Sequence, residues 1–560
     1  EQLGERHPEV ATSLNNLADL YSDQGRYDEA EPLYHQALEI YREQFGEAHP
    51  TVATSLNNLA LLYQAQNRFN EAEPLYLQSL AVFREQLGYR HPDIANSLNN
   101  LGLLYQGQGR YAEAETQHLN ALDIRREQLG DRHPHTAQSL NNLAFLYSDQ
   151  GRYAEAEPLY TQALEIYQEQ LGERHPDVAI SLRNLAELHQ VNGMTDAAIA
   201  ALQVSLDIEE QNLELNLATL ADTQRQAYAA TIADSVDYAI SLHLQAAPES
   251  SAAAQLALTT VLRRKGRIQD AGTRSLQTLR QNLTSADQTT LDQLTEVRQT
   301  LARLTFNSSA NLTPETYRNT LATLEAEANE LEAVLARRSA VFRAESEPVE
   351  LSTIQSQIPA NGVLVEYVRY QPFDPVNLAT PWGEPRYAAY LLLSNGRIEA
   401  VDLGEAAAID TAVDAFSRLL QTPTVAFQPS RASLEVEYAP TADAIATAAQ
   451  LRTLILEPIA AYLPDQGHLL ISPDSQLNRI PFEALPAETD GRYLIEQYQL
   501  SYLNTGRDLV TFGLVSPSQA PALVLANPDY DQAPSPGSSV ATGGVASQRS
   551  VDLSQFQVGP

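Results

Sequence analysis

Residues 14–34 read Leu14-Asn15-Asn16-Leu17-Ala18-Asp19-Leu20-Tyr21-Ser22-Asp23-Gln24-Gly25-Arg26-Tyr27-Asp28-Glu29-Ala30-Glu31-Pro32-Leu33-Tyr34, and this stretch decides the fold of the N-terminal part of the chain. Leu14, Leu17, Ala18 and Tyr21 fall at i, i+3, i+4 and i+7, which marks one face of a helix. Gly25 interrupts that helix. A second stripe then runs through Tyr27, Ala30, Tyr34, Ala37 and Ile40. Small Ala18, Ala30 and Ala37 let two antiparallel helices approach closely, while Tyr21 and Tyr34 fill the space beside them. A lone helical hairpin cannot bury such a face, so it has to stack on others like it.

The sequence supplies those neighbours. The string E-Q-L/F-G-x-x-H-P starts at Glu1, Glu43, Glu85, Glu127 and Glu169, a constant step of 42 residues. The pattern Leu14-Leu17-Ala18-Tyr21-Ala30-Tyr34-Ala37 resembles the tetratricopeptide (TPR) repeat, with leucine where a tryptophan often leads. The longer unit L-N-N-L-A-x-L-Y-x-x-Q-G-R-Y-x-E-A-E-P-L-Y is similar to the 42-residue kinesin-light-chain-type version. The resemblance covers residues 1–213 and implies an all-α superhelical solenoid with a peptide groove. The fifth unit decays as a terminal, capping repeat does: Arg183 replaces an Asn, His189 a Tyr, and Asn192-Gly193-Met194 the usual Q-G-R. The chain opens on Glu1, and its first residues match the tail of a later helix, so further repeats are expected upstream.

In this family the first helix of each hairpin lines the concave face. That helix carries Asn15-Asn16, Asn57-Asn58, Asn99-Asn100 and Asn141-Asn142, with Arg183-Asn184 in the fifth unit. A carboxamide both donates to and accepts from a peptide backbone, so a ladder of them can hold an extended segment without demanding its sequence. Arg183 would add an anchor for a carboxylate. The alternative is that one Asn of each pair bridges neighbouring repeats. His7, His49, His91, His133 and His175 also recur once per unit. A metal needs ligands ~2 Å from one point, whereas equivalent residues of stacked hairpins stand on the order of 10 Å apart. Each precedes a Pro, so a helix-start role is expected.

Charge and composition narrow the partner. The 560 residues carry a net charge of −35, which argues against a nucleic-acid partner and for a basic or neutral protein segment in an acidic groove. No apolar run is long enough to span a membrane. Lys265 is the only lysine, so a Gly-Lys-[Ser/Thr] phosphate loop is excluded. The basic knot Arg263, Arg264, Lys265 and Arg267 reads as a solvated helix end. Cysteine is absent, which rules out disulfides, thiolate metal sites and a cysteine nucleophile within these residues. No cofactor or metal is expected, and the composition suits the cytoplasm.

Residues 214–345 keep helical periodicity without the repeat. Leu291, Leu294, Val297, Leu301 and Leu304 form one stripe, and Leu321, Leu324, Ala328 and Leu331 another, the latter after a Thr313-Pro314-Glu315 start. From 346 to 560 the composition changes to strands at 363–368, 387–393, 398–403, 468–472, 498–503 and 522–526, interleaved with helices at 406–420 and 442–462. A hairpin is expected across Ser394-Asn395-Gly396-Arg397. This alternation predicts an α/β sheet. The Pro-, Gly- and Ser-rich stretch 533–549, within a loop at about 531–550, reads as disordered: either a passive linker or a site cut after Arg549.

The run from Leu469 to Leu485, L-L-I-S-P-D-S-Q-L-N-R-I-P-F-E-A-L, with Tyr493-Leu494-Ile495-Glu496 and Ser501 to Leu509, closely resembles the start of a CHAT domain. Leu364-Val365-Glu366-Tyr367, the strand at Arg386 and Val401-Asp402-Leu403-Gly404 fit that family's opening sheet. The resemblance implies a caspase-like cysteine protease, in which an imidazole withdraws a thiol proton and the thiolate attacks a carbonyl. Neither a cysteine nor any histidine after His468 is present, and His468 opens a strand outside a His-Gly context. The expected domain is therefore an incomplete CHAT fold, its catalytic pair lying beyond Pro560. The whole reads as a partner-sensing scaffold for a protease, or as an adaptor with a degenerate CHAT fold.

Overall fold

The computed structural model describes residues 4, 6–219, 231–265, 283–306, 312–339, 342, 349–377, 381–421, 442–487 and 492–511. All of them fall within one compact unit, Glu1–Leu514. The expected strand at 522–526, the loop at 531–550 and Arg267 lie outside the described residues.

Five helical hairpins come first: α1 (Pro8–Asp23) with α2 (Tyr27–Phe45), α3 (Pro50–Ala65) with α4 (Phe69–Leu87), α5 (Pro92–Gly107) with α6 (Tyr111–Leu129), α7 (Pro134–Asp149) with α8 (Tyr153–Leu171), and α9 (Pro176–Val191) with α10 (Thr195–Thr219). The repeated histidines start the odd-numbered helices. Nδ1 of His7, His49, His91, His133 and His175 accepts the backbone N–H two residues on, at 3.1–3.3 Å. The following Pro takes the first helical position, where no N–H is needed. The turn between the two helices of a hairpin needs a left-handed residue. Gly25 supplies it with φ +70, and Asn67 takes the same conformation at φ 58 in the second hairpin. Ala18, Ala30 and Ala37 are fully buried with Tyr34, so close helix approach follows from the residues that predicted it.

A second device joins successive hairpins. Arg68 lies over the Tyr63 ring at 4.0 Å and reaches back to Glu31 at 2.7 Å. Arg110 repeats this with Tyr105 and Glu73, and Arg152 with Tyr147 and Glu115. Solvent screening keeps the contribution of partly exposed pairs like these small. In the fifth hairpin Met194 stands where the arginine would be.

The helical extension follows: α11 (Ala233–Ser241) continuing into a π-turn (Leu242–Ala246), α12 (Ser251–Arg264), and the pair α13 (Ser285–Phe306) and α14 (Pro314–Arg338). Tyr238 and Leu242 pack on Ala186, Leu202 and Leu206, so α11 closes the end of the array. Leu291, Leu294, Val297 and Leu301 meet Ala328 and Leu335 between α13 and α14. Thr313 caps α14 by accepting the Thr316 N–H at 3.2 Å.

After the short helix α15 (Leu351–Gln357) comes a five-stranded mixed sheet. Its strands are β1 (Gly362–Tyr370), β2 (Arg386–Leu393), β3 (Ile398–Glu405), β4 (Gly467–Ser472) and β5 (Tyr498–Tyr502), in the order β3-β2-β1-β4-β5. β1–β2 and β2–β3 are antiparallel, while β1–β4 and β4–β5 are parallel. Side chains alternate between two covered faces, as a period of two requires. Val363, Val365, Tyr367, Leu469 and Ile471 pack under α16 (Ala406–Gln421) and α17 (Ala442–Ile455). Leu364, Val368, Tyr390 and Leu470 pack against Ile240, Leu258 and Leu262 of the helical extension. The array is thus followed by an α/β region whose second face is covered by α11 and α12.

Candidate protein-binding groove

In the array the odd-numbered helices approach each other, α1 with α3, α3 with α5, α5 with α7 and α7 with α9, more closely than the even-numbered helices do. The stack therefore curves with its first helices inside, and the groove floor is the stripe of those helices that faces neither α-helical neighbour. By helical spacing the floor holds Thr54, Asn58, Leu61 and Ala65 in the second hairpin. The third carries Asn96, Asn100, Leu103 and Gly107, and the fourth Gln138, Asn142, Phe145 and Asp149.

The structure separates the two asparagines of each pair. In the third and fourth hairpins the first reaches along the stack. Asn141 donates to Ser181 of the next hairpin at 3.1 Å, and Asn99 lies 3.1 Å from Ser139. Asn57 has its Oδ1 enclosed without a partner, and Asn15 donates to Asp19 of its own helix at 3.3 Å. The second asparagine, at Asn16, Asn58, Asn100, Asn142 and Asn184, is at least partly exposed and makes no side-chain hydrogen bond within the described residues. Arg183 is differently placed from the anchor expected of it. Its guanidinium faces Glu187 at 3.8 Å and Ser235 of α11 at 3.4 Å. Burial pushes the Glu187 carboxyl up to about 7, against the pull of Arg183.

The third hairpin departs from its neighbours inside. Gly102, His118 and Arg125 stand where the second hairpin has Ala60, Tyr76 and Phe83. His118 is fully buried, and a Cβ on Gly102 would stand 2.7 Å from its ring. Arg125, 2% exposed, donates to the His135 carbonyl at 2.6 Å, Ser139 at 2.9 Å and Asn96 at 2.8 Å, and no carboxylate pairs with it among the described residues. With its oxygen turned to Ser139 and Arg125 and its nitrogen to His118, Asn99 completes a donor-to-acceptor chain. His118 Nε2 is left enclosed without a partner. Burial, reinforced by Arg125, lowers the His118 imidazole to about 4.

Of the basic knot, the described residues Arg263, Arg264 and Lys265 are not a solvated helix end. Lys265, at the end of α12, enters the sheet instead. Its ammonium donates to Glu366 Oε2 at 2.9 Å, the Tyr367 carbonyl at 2.8 Å, the Ser472 carbonyl at 2.9 Å and Ser472 Oγ at 2.6 Å. Glu366 is 0% exposed, and its other oxygen accepts the Gly506 N–H. Arg264 pairs with Glu209 at 3.0 Å and Arg263 with Asp207 at 2.7 Å, both carboxylates on α10. Three consecutive basic residues thus tie the array, the extension and the sheet together. His468, on β4, lies 2.8 Å from Ser501 Oγ of β5.

Sequence reasoning missed the apolar floor residues Leu61, Leu103 and Phe145 and the polar interior of the third hairpin. Both are visible once the units are aligned column by column: the first as apolar residues in a column the core does not need, the second as three coordinated departures.

Comparisons with known proteins agree with this architecture. The tetratricopeptide repeat family matches residues 9–85, 93–169 and 136–211, and a second tetratricopeptide repeat family matches 57–128. The CHAT domain family matches residues 446–559. Among solved structures, a putative kinesin light chain of Podosopora anserina with nearly identical TPR-like repeats is 30% identical, covering 37% of this chain and 97% of that one, with a TM-score of 0.32. BtubC (BKLC) from P. vanneervenii is 24% identical, covering 36% of this chain and 80% of that one, also with a TM-score of 0.32. No curated protein matches the chain. Among the described residues, no helix is long and apolar enough to cross a membrane.

Proposed function

From a chain that carries tetratricopeptide repeats followed by a CHAT domain, we infer a cytoplasmic scaffold that binds a protein segment in its groove and thereby regulates a caspase-like cysteine protease. The observation that most supports regulation is the insertion of Lys265, from the helical extension, between β1 and β4. A segment ordered in the groove acts on α9 and α10, which hold α11 and α12, and α12 ends in that lysine. The 560 residues contain no cysteine, so on this reading the nucleophile is supplied from outside them.

The test is to express the gene with its downstream coding sequence and assay peptide-bond cleavage with and without the groove partner. Alkylation-sensitive cleavage that rises with partner supports the reading. A downstream sequence without a His and Cys, or no cleavage at saturating partner, leaves an adaptor whose function lies in the groove. For binding itself, Asn58→Ala with Asn100→Ala should weaken the partner about thirtyfold, from the loss of two hydrogen bonds of roughly 1 kcal/mol each, with Tm unchanged. Unaltered affinity in calorimetry would assign these carboxamides to the scaffold.

A further inference from the structure

Three apolar side chains sit on the groove floor. Leu61 is 41% exposed, Phe145 38%, and Leu103 half-buried. Each stands three residues after the open asparagine of its helix (Asn58, Asn100, Asn142), hence beside it on one helical face. The same column holds Asp19 in the first hairpin and Glu187 in the fifth. Along the groove the rungs therefore run acidic, apolar, apolar, apolar, acidic. The surroundings are acidic as well, since residues 1–213 contain 13 arginines and 32 carboxylates.

Spacing decides what conformation of a partner can meet three successive rungs. Packed helices stand about 8–10 Å apart. A β-strand returns a side chain to the same face every two residues, about 6.6 Å, or every four, about 13 Å, and neither matches. A polyproline II helix returns one every three residues, about 9.3 Å, which does. It also leaves its N–H and C=O groups without internal partners, open to a carboxamide at each rung. We propose that the groove binds a partner segment in the polyproline II conformation, one turn per hairpin. Its apolar residues, three apart, rest on Leu61, Leu103 and Phe145, and basic residues one turn beyond face Asp19 and Glu187.

This proposal rests on the groove reading above and adds the register, the conformation and the flanks. Asp19 already accepts from the Tyr34 hydroxyl, and Glu187 faces Arg183. The apolar rungs therefore carry the affinity, and the flanks carry preference.

Fluorescence anisotropy on the 560-residue chain tests it with labelled synthetic peptides. One places three Leu-Pro-Ala units between arginine pairs; a second has the same composition with leucine at every second position. The first should bind about tenfold more tightly, and Phe145→Ser should remove most of that advantage without shifting Tm. Equal affinities, or no binding of either peptide, overturn the proposal. If both bind equally and both weaken in Asn100→Ala, the groove reading survives and the register fails. If binding ignores Asn100→Ala and Phe145→Ser alike, the groove reading fails with it.

Discussion

Arg125 in the third hairpin and Lys265 at the junction with the sheet are both cations withdrawn from water, yet their surroundings are opposite. Arg125 is held by neutral oxygens alone: a carbonyl, a hydroxyl and a carboxamide. Lys265 is held by the fully buried carboxylate of Glu366 together with two carbonyls and a hydroxyl. The chemistry of the two cations accounts for the difference. A guanidinium spreads its charge over five donors and keeps its proton even when burial lowers it, here to about 10. A lysine ammonium is compact and sheds its proton readily in an apolar site, so it remains charged there only beside an anion. The array can thus vary one hairpin's interior while the helix-to-sheet junction depends on a matched pair.

The largest expected effect comes from breaking that pair. Glu366→Ala strands a buried ammonium and should destabilise the protein by about 3–5 kcal/mol, read from urea unfolding. Lys265→Met combined with Glu366→Leu should recover most of the loss. A double variant as unstable as Glu366→Ala would mean that the pair's worth lies elsewhere than in charge compensation.

Next comes acid. The folded His118 titrates near 4 and an unfolded histidine near its ordinary value, so between those values the unfolded chain binds more protons. Stability is therefore fully present above about pH 6.5 and falls as pH drops toward 4, by about 3 kcal/mol for this one group. The triple variant Gly102→Ala, His118→Tyr, Arg125→Tyr, which copies the neighbouring hairpins, should flatten that part of the pH profile. An unchanged profile would refute His118 as its source.

Gly102→Ala alone should cost about 1–3 kcal/mol, because its Cβ would collide with the His118 ring. In the triple variant the same alanine should be harmless, as it is at Ala60. Smallest of all, Arg110→Met should lower Tm only slightly, as loss of a solvent-screened pair does, and Tm measured in low and high salt should converge for the variant.

The array was legible because its information is local and repeated. Ala18, Ala30 and Tyr34 declare a hairpin core, and the constant step of 42 residues declares the stack. The sheet was legible for a similar reason, its first two strands being apolar runs bounded by the Asn361-Gly362 and Asn395-Gly396 turns. Lys265 was not. Read along the chain it belongs to a basic run at a helix end, and its partners Glu366 and Ser472 are far off in sequence. The asparagine pairs fell between these cases. Helical spacing placed them on the inner helices, but only packing shows that Asn141 turns toward Ser181 while Asn142 does not.

The arginine at each hairpin turn spans a single joint, so under a pull along its axis the array behaves as springs joined in series. Every joint then bears the same force, and extension concentrates in the softest. Glu31, Glu73 and Glu115 are each gripped by the arginine of the next hairpin, whereas Glu157 faces a hairpin whose turn carries Met194. Tension applied to the array would on this count open the last joint first, next to the helices that lead to the sheet.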